Sequence, residues 1–240
     1  MYNSRIEIIR ATSIANNNMN EQLSLLYKAN WEAYRKTVHQ FQKLGYEMAN
    51  IYLLSVSDDY LNANIKVMCL GKETKGWGGE FACEPTIEEL QQLYTLYVYS
   101  ERGNDAAFHR FANWLNSLSP DVSVVPNNII KIGKKNYSGY NKPVANQLHK
   151  QMNLLKEEIA ILSPSIIICP TSNLDDYNYP LYDLLGDYEE QVLQQDLFVS
   201  ERRYEAFPHI PFIMCPHPQG KWNEDMDKVK QIISKYVLEK

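Results

Sequence analysis

The chain has 240 residues, 45% of them hydrophobic and 22% charged, a composition typical of a globular protein with a substantial core. Its 24 Lys and Arg residues are outnumbered by 29 Asp and Glu residues, and the net charge of −5 excludes a strong overall attraction to nucleic acid. The four cysteines have no C-x-x-C spacing, so we expect no metal site and no cofactor. No segment approaches the roughly 18 apolar residues of a membrane span, which predicts a cytoplasmic protein without membrane contact.

The N-terminal quarter of the chain is predicted to be helical. Residues 1–19 are polar and asparagine-rich, and we interpret them as a poorly ordered lead-in. Over residues 20–44 apolar side chains recur every three or four positions, which predicts a long amphipathic helix that ends at Gly45. We therefore expect an N-terminal helical extension, residues 1–60, that packs on a core domain of residues 61–240.

In the rest of the chain, strands alternate with helices. Apolar, β-branched runs predict strands at residues 65–70, 122–131, 165–169 and 210–215. Helical periodicity and the capping box of Thr86 and Glu89 predict helices at residues 86–98, 106–118, 144–162 and 225–238. This alternation indicates an α/β fold, a three-layer α/β/α sandwich around a central, mainly parallel four-stranded sheet.

A glycine-rich loop follows the first of these strands. Four of the ten glycines fall within nine residues: Gly71, Gly76, Gly78 and Gly79. Glycine allows positive φ and lets a backbone approach a ligand closely. Lys72 and Glu73 stand just beyond the strand, and ligands of open α/β sheets bind at the carboxyl ends of the strands. The alternative is a tight turn with solvated charges.

Two further strand ends carry polar groups. Asn128 lies near the end of the second strand, and His217 follows the last strand, between two prolines. Parallel strands open on one edge of a sheet, so we expect both residues to converge with Glu73. Each residue also has a structural alternative: a turn amide for Asn128, a surface imidazole for His217 and a solvated carboxylate for Glu73.

This pattern resembles the uracil-DNA glycosylase superfamily over roughly residues 64–222. The three segments that carry the resemblance are Leu70-Gly71-Lys72-Glu73-Thr74, Asn128-Ile129-Ile130-Lys131 and Cys215-Pro216-His217-Pro218-Gln219-Gly220. The resemblance implies a uracil-DNA glycosylase-like fold. It also implies a DNA repair activity, base excision by hydrolysis of the N-glycosidic bond of a damaged or deaminated base.

The resemblance also implies individual roles. Glu73 would orient or activate the attacking water, His217 would donate a hydrogen bond to the departing base, and Asn128 would read the base edge. The other base-binding residues implied are Gly71, Lys72, Trp77 and, stacked on the base, Phe81. Cleavage leaves a cationic sugar and an anionic base, so a carboxylate near the sugar and a donor near the base both favour the transition state.

A basic run adjoins the predicted base-reading strand. Residues 122–156 contain six lysines and no acidic residue. We expect the nucleic-acid backbone to be bound by Lys131, Lys134, Lys135, Gln219, Gly220 and Lys221. The alternative is a solvated face whose charge is balanced by the acidic region at residues 175–201.

Departures from the family pattern leave a second hypothesis open. Glu73 is longer than the residue it replaces, and the Pro-Tyr of the best-known branch is absent. The first hypothesis is a hydrolase that acts on a base in DNA, or on a free nucleoside or nucleotide. The second is a protein of the same fold without chemistry or with an altered substrate, which binds nucleic acid or a nucleotide, or binds a partner protein through the Trp- and Tyr-rich N-terminal helix.

Overall fold

A computed structural model describes residues 2–73, 76–81, 84–99, 106–136, 150–171, 181–218 and 223–239. The helices and strands follow one another in this order: α1 (Tyr2–Lys43), β1 (Met48–Ile51), α2 (Asp58–Asn62), β2 (Ile65–Glu73), α3 (Ile87–Val98), α4 (Ala107–Asn116), β3 (Val122–Ile130), β4 (Ile132–Lys134), α5 (Leu155–Leu162), β5 (Ile166–Cys169), β6 (Tyr188–Gln194), β7 (Val199–Tyr204), β8 (Phe212–Met214) and α6 (Asn223–Leu238).

The N-terminal helix α1 begins at Tyr2, whereas the sequence predicts a helix only from residue 20 onward. The first 43 residues contain neither glycine nor proline, and nothing in their sequence interrupts a helix. Gly45, with φ +86°, ends α1 where the sequence predicts. The buried face of α1 shares one core with the central sheet, through Leu23, Tyr27, Tyr34, Val38 and Phe41.

The fold is mixed α/β, with a mostly parallel central sheet. Six strands form this sheet in the order β3-β2-β5-β8-β7-β6, so the prediction of four strands is wrong. The four predicted strands are present and parallel, as β3, β2, β5 and β8. The two additional strands, β6 and β7, form an antiparallel hairpin joined to β8. The sequence of β6, Tyr-Glu-Glu-Gln-Val-Leu-Gln, is largely exposed and lacks an apolar alternation.

Helices cover both faces of the sheet. On one face the strands contribute Met68, Leu70, Ile167 and Phe212 to a core shared with α1, α3 and α5. On the other face they contribute Val67, Cys69, Ile166 and Ile213 to a core shared with α4 and α6. Alternate residues of each strand therefore serve opposite cores, because successive strand side chains point to opposite faces.

The strand β2 is longer than predicted and runs to Glu73. The glycine-rich segment that follows docks on the small antiparallel sheet of β1 and β4. There the Gly76 N–H donates to the Lys134 carbonyl at 3.0 Å, and the Asn50 N–H donates to the Trp77 carbonyl at 3.0 Å. Gly71, Lys72 and Glu73 are thus strand residues, held by the sheet rather than by a loop.

The helix predicted at residues 144–162 is interrupted in the structure. Residues 144–149 lie outside the described residues, residues 150–152 are helical, and after a break at residues 153–154 the helix α5 begins at Leu155. Just before α5, the Asn153 Oδ1 accepts the Leu155 N–H at 2.9 Å, and the Asn153 Nδ2 donates to the Ile129 carbonyl at 2.9 Å. A side chain that bonds to the backbone in this way favours a helix start.

The two edges of the central sheet differ. At β3 the Val124 N–H donates to the Asn116 Oδ1 at 3.0 Å, Pro126 has no N–H, and the Tyr94 hydroxyl donates to the Pro126 carbonyl at 2.7 Å. At the other edge, β6 is largely exposed. Side chains from α3 and α4 therefore cover one edge, while the other faces solvent.

Candidate functional site

The parallel strands bring the predicted polar residues to one edge of the sheet. Along the chain β2 is the first of the four parallel strands, and it lies between the second, β3, and the third, β5. In open α/β sheets, ligands bind outside the carboxyl ends of the strands at such a switch point. Glu73 ends β2, and Asn128 lies on β3 opposite Gly71. His217 follows β8, which is two strands, or about 10 Å, from β2.

The side chain of Asn128 lies directly against Gly71. A Cβ atom built at Gly71 would stand 2.5 Å from the Asn128 Oδ1 and 2.9 Å from the Phe108 Cε2. A side chain at residue 71 would therefore force the Asn128 amide or the Phe108 ring to shift, because real Cβ atoms do not approach other atoms so closely. Asn128 is 4% exposed and Phe108 is half-buried. The backbone of β2, the amide of Asn128 and the ring of Phe108 therefore form one compact group.

Phe108 was not among the predicted site residues. Its place on the inward face of α4 follows from helical periodicity, and α4 packs beside β3. Its contact with the Gly71 backbone depends on the absence of a side chain at that position and on the pairing of β2 with β3. No local sequence pattern reports such a contact.

His217 and Lys72 share one electrostatic environment. The half-buried imidazole of His217 has a pKa below its ordinary value, first because of burial and second because of the positive charge of Lys72. At neutral pH the imidazole is therefore neutral, with one nitrogen that donates a hydrogen bond and one that accepts. Glu73, next to Lys72 at the end of β2, is half-buried as well.

Two predicted aromatic residues pack in the core instead of at this edge. Phe81 is 1% exposed, and its ring centre lies 6.4 Å from the ring centres of both Trp31 and His39. The buried Trp77 packs edge-on against Tyr52, with 4.7 Å between the ring centres. Because its ring is enclosed by protein, Phe81 is not presented to a base, and the structure assigns it to core packing.

The three predicted phosphate-binding lysines that the structure describes have partners within the protein. Lys131 is 2% exposed and forms an ion pair with the fully buried Glu158, so it is not available to a nucleic-acid backbone. The Lys135 Nζ lies 2.6 Å from the Glu80 Oε2. The Lys134 Nζ lies over the ring of Tyr46, 5.3 Å from its centre. Gln219, Gly220 and Lys221 lie outside the described residues.

The ion pair of Lys131 belongs to a buried polar network. The Glu158 Oε1 accepts from the Tyr27 hydroxyl at 2.8 Å, and the Oε2 accepts from the Asn127 Nδ2 at 3.0 Å. The Lys131 Nζ contacts the Glu158 Oε2 and the Asn127 Oδ1, and the same Oδ1 accepts the Asn128 N–H at 2.7 Å. Burial lowers the pKa of the Lys131 ammonium, and the Glu158 carboxylate offsets part of that shift. This network cannot be predicted from the sequence, because Lys131 belongs to a basic run and Glu158 to an amphipathic helix.

A buried histidine adjoins the site. His109, beside Phe108 on α4, is 8% exposed, and its ring centre lies 5.1 Å from that of Tyr97. Burial lowers the pKa of His109 to about 4, so its imidazole is neutral at pH 7. Among the residues that the structure describes, no group of three His, Cys, Asp or Glu side chains is placed to hold a metal ion. No described helix is both long and apolar enough to cross a membrane.

These features define a mixed α/β protein with a mostly parallel sheet, whose carboxyl edge carries a carboxylate, an amide and a neutral imidazole. In comparisons with known proteins, no family model matches the chain, and neither the curated proteins nor the solved structures give a significant match.

Proposed function

We propose that the protein binds a nucleobase at the carboxyl edge of β2, β3 and β8 and hydrolyses the N-glycosidic bond of a damaged or deaminated base in DNA. The observation that carries this proposal is the contact of the Asn128 amide with the bare backbone of Gly71, beside the ring of Phe108. An amide offers a donor and an acceptor side by side, which matches the edge of a pyrimidine. An adjacent aromatic ring favours a flat ligand.

Access to Asn128 requires a movement. The amide is 4% exposed, so a base reaches it only after a neighbouring group moves, and the half-buried Phe108 ring beside Gly71 is the group that we propose moves. The displaced ring is then placed to stack on the base, the role that the family resemblance implied for Phe81. A base that pairs in a duplex must first leave the stack, at a cost of a few kcal/mol.

The proposed chemistry uses Glu73 and His217. Water adds to the anomeric carbon of the sugar as the bond from that carbon to the base nitrogen breaks. Glu73 takes one proton of the water, and the base departs with the bonding electron pair as an anion. His217 is neutral because burial and the charge of Lys72 lower its pKa. The N–H of its neutral ring donates a hydrogen bond to that anion. The base then takes up a proton from solvent, and Glu73 releases the proton it took to solvent, which restores the carboxylate.

The same site favours a second candidate substrate, a free nucleoside or nucleotide. DNA binding depends on cationic side chains that neutralise phosphates. Lys131 and Lys135 already pair with Glu158 and Glu80 within the protein. This pairing weakens the case for a long nucleic acid and leaves the base-reading group unaffected.

Excision assays test the proposal. We expect release of the base from oligonucleotides that contain uracil, hypoxanthine or a mismatch, single- or double-stranded, or from free deoxyuridine for the second candidate. Glu73→Gln and His217→Ala should each reduce the rate at least about 100-fold. The matched controls Glu157→Gln and His209→Ala change an exposed glutamate and an exposed histidine and should leave the rate unchanged. Absence of both cleavage and base binding by the wild-type protein would overturn the proposal.

A further inference from the structure

Asn128 lies on the end strand of the central sheet, where its backbone is held in an unusual way. Its N–H does not donate to a neighbouring strand but to the side chain of the preceding residue, with 2.7 Å between the Asn128 nitrogen and the Asn127 Oδ1. β3 is paired with β2 on its other side, so the hydrogen bond that holds the Asn128 N–H depends on the orientation of the Asn127 amide. That orientation is set by two charges.

The two charges fix which way the Asn127 amide points. The Lys131 ammonium can only donate hydrogen bonds, and it contacts the Asn127 Oδ1. The Glu158 carboxylate can only accept, and it receives the Asn127 Nδ2 at 3.0 Å. A flipped amide would set its NH₂ group against both the ammonium and the Asn128 N–H. The ion pair thus selects the one orientation in which the Asn127 oxygen accepts from Asn128.

The carboxylate is itself anchored from the opposite side of the core. The Glu158 Oε1 accepts from the Tyr27 hydroxyl at 2.8 Å, and that hydroxyl accepts the Leu54 N–H at 3.0 Å. Both carboxylate oxygens are therefore bonded within the protein, and Glu158 is fully buried. Replacing a buried ion pair with apolar side chains often leaves stability unchanged or raises it, so stability alone does not account for this network.

We infer that Asn127, Lys131 and Glu158 are positioning residues that hold Asn128 against Gly71 for recognition of a base. The inference rests on the proposed function, because it deepens the base-reading role of Asn128. The side chain of Asn127 points to the core of α1 and α5, whereas that of Asn128 meets Gly71 and the Phe108 ring of α4. The two side chains are joined by a short stretch of backbone, so holding the Asn127 amide in place also restricts where the Asn128 amide lies. A displacement of about 1 Å at such a group can cost about 100-fold in rate.

The decisive variant is the double substitution Lys131→Met with Glu158→Gln, which removes both charges and keeps the two side chains near their original size. The matched control is Arg202→Met with Glu190→Gln, which removes the ion pair between β7 and β6. Amide hydrogen exchange is followed at Asn128 and, as an internal reference, at Val124. The Val124 N–H lies on the same strand and is held by another asparagine side chain, that of Asn116.

We expect exchange at Asn128 to become at least about tenfold faster relative to Val124 in the Lys131–Glu158 variant, and to keep the wild-type ratio in the control. Global destabilisation raises the exchange rates of both amides by the same factor and leaves the ratio of the two rates unchanged. An unchanged ratio in the Lys131–Glu158 variant would overturn the inference, whatever the activity. Where that variant fails to fold, Tyr27→Phe keeps both charges and removes one hydrogen bond to Glu158. It should raise the ratio about threefold, and no rise would equally overturn the inference.

Excision kinetics complete the test. The Lys131–Glu158 variant should lose at least about tenfold in kcat/KM for the favoured base and should discriminate less between bases, because a loosely held amide reads its partner less strictly. A wild-type protein that neither excises nor binds a base refutes the proposed function, and the exchange ratio still decides whether the network positions Asn128. An active variant with unchanged discrimination refutes the positioning role alone.

Discussion

The Asn128 Oδ1 stands 2.5 Å from the point that a Cβ atom at Gly71 would occupy. The two residues are register partners on β2 and β3, at the edge of the sheet where the carboxyl ends of the parallel strands open. The absence of a side chain at residue 71 thus leaves the space that the amide of residue 128 occupies. The most direct predictions concern this contact.

Replacement of Gly71 by alanine should displace Asn128. The new methyl group overlaps the Asn128 Oδ1 and approaches the Phe108 ring to 2.9 Å. We expect a loss of about 1–3 kcal/mol in the free energy of unfolding, measured by urea denaturation, and loss of base binding. The double variant Gly71→Ala with Asn128→Ala removes the closest overlap and should recover part of the stability but none of the binding. Equal instability of the single and double variants would contradict this explanation.

Removal of the charge at Lys72 should raise the pKa of His217 towards its ordinary value. Burial lowers that pKa first and Lys72 second, so Lys72→Met leaves only the effect of burial. Titration of the imidazole by NMR measures the change. Lys66→Met, on the same strand but beside Tyr60, is the matched control and should leave the titration unchanged. An identical His217 titration in Lys72→Met and the wild type would show that the two groups do not interact.

His109 should make the protein less stable in acid. Its pKa is about 4 in the folded protein and near 6.5 in the unfolded chain, so between these values the unfolded chain binds more protons. Stability is fully present above about pH 6.5 and falls as the pH falls towards 4, by about 3 kcal/mol from this residue. The variant His109→Gln should show a flatter dependence of the unfolding free energy over the same range. Parallel curves for the two proteins would exclude His109 as the source.

Breaking the buried ion pair should be costly. Glu158→Gln leaves the Lys131 ammonium buried without its counter-charge, which we expect to lower the free energy of unfolding by about 3–5 kcal/mol. The matched change Asp183→Asn removes the exposed partner of Lys150 and should cost less than about 1 kcal/mol. Glu158 offsets part of the low pKa that burial gives Lys131, so Glu158→Gln lowers that pKa further and the folded variant loses its proton at a lower pH than the wild type. The deficit of Glu158→Gln should therefore shrink as the pH rises, and a constant deficit would contradict this account.

Sequence patterns predict the parallel part of the sheet well, because β2, β3, β5 and β8 are apolar runs that two layers of helices enclose. They miss the β6–β7 hairpin, whose exposed outer strand has no hydrophobic pattern to report. They also miss the first turns of α1, since an asparagine-rich composition resembles a loop although nothing in it breaks a helix.

Only part of the candidate site can be predicted from the sequence. Glu73, Asn128 and His217 stand out because they lie at or just beyond the ends of apolar runs that predict strands, which is a local property. The burial of Lys131 and the contact of Phe108 with Gly71 are not local, since both depend on how distant segments pack. The residue type alone does not show whether a lysine is exposed in a basic run or buried in an ion pair. Only the position of Glu158 distinguishes them.

The unequal edges of the sheet limit how copies of this protein can associate through it. At β3, Pro126 lacks the N–H that an incoming strand would need, and Tyr94 and Asn116 already occupy neighbouring backbone groups. Of the two edges of the central sheet among the described residues, β6 is the one left open to a strand from another molecule. Two copies paired through β6 would cover both of these open edges, so strand addition through the central sheet would end at a pair.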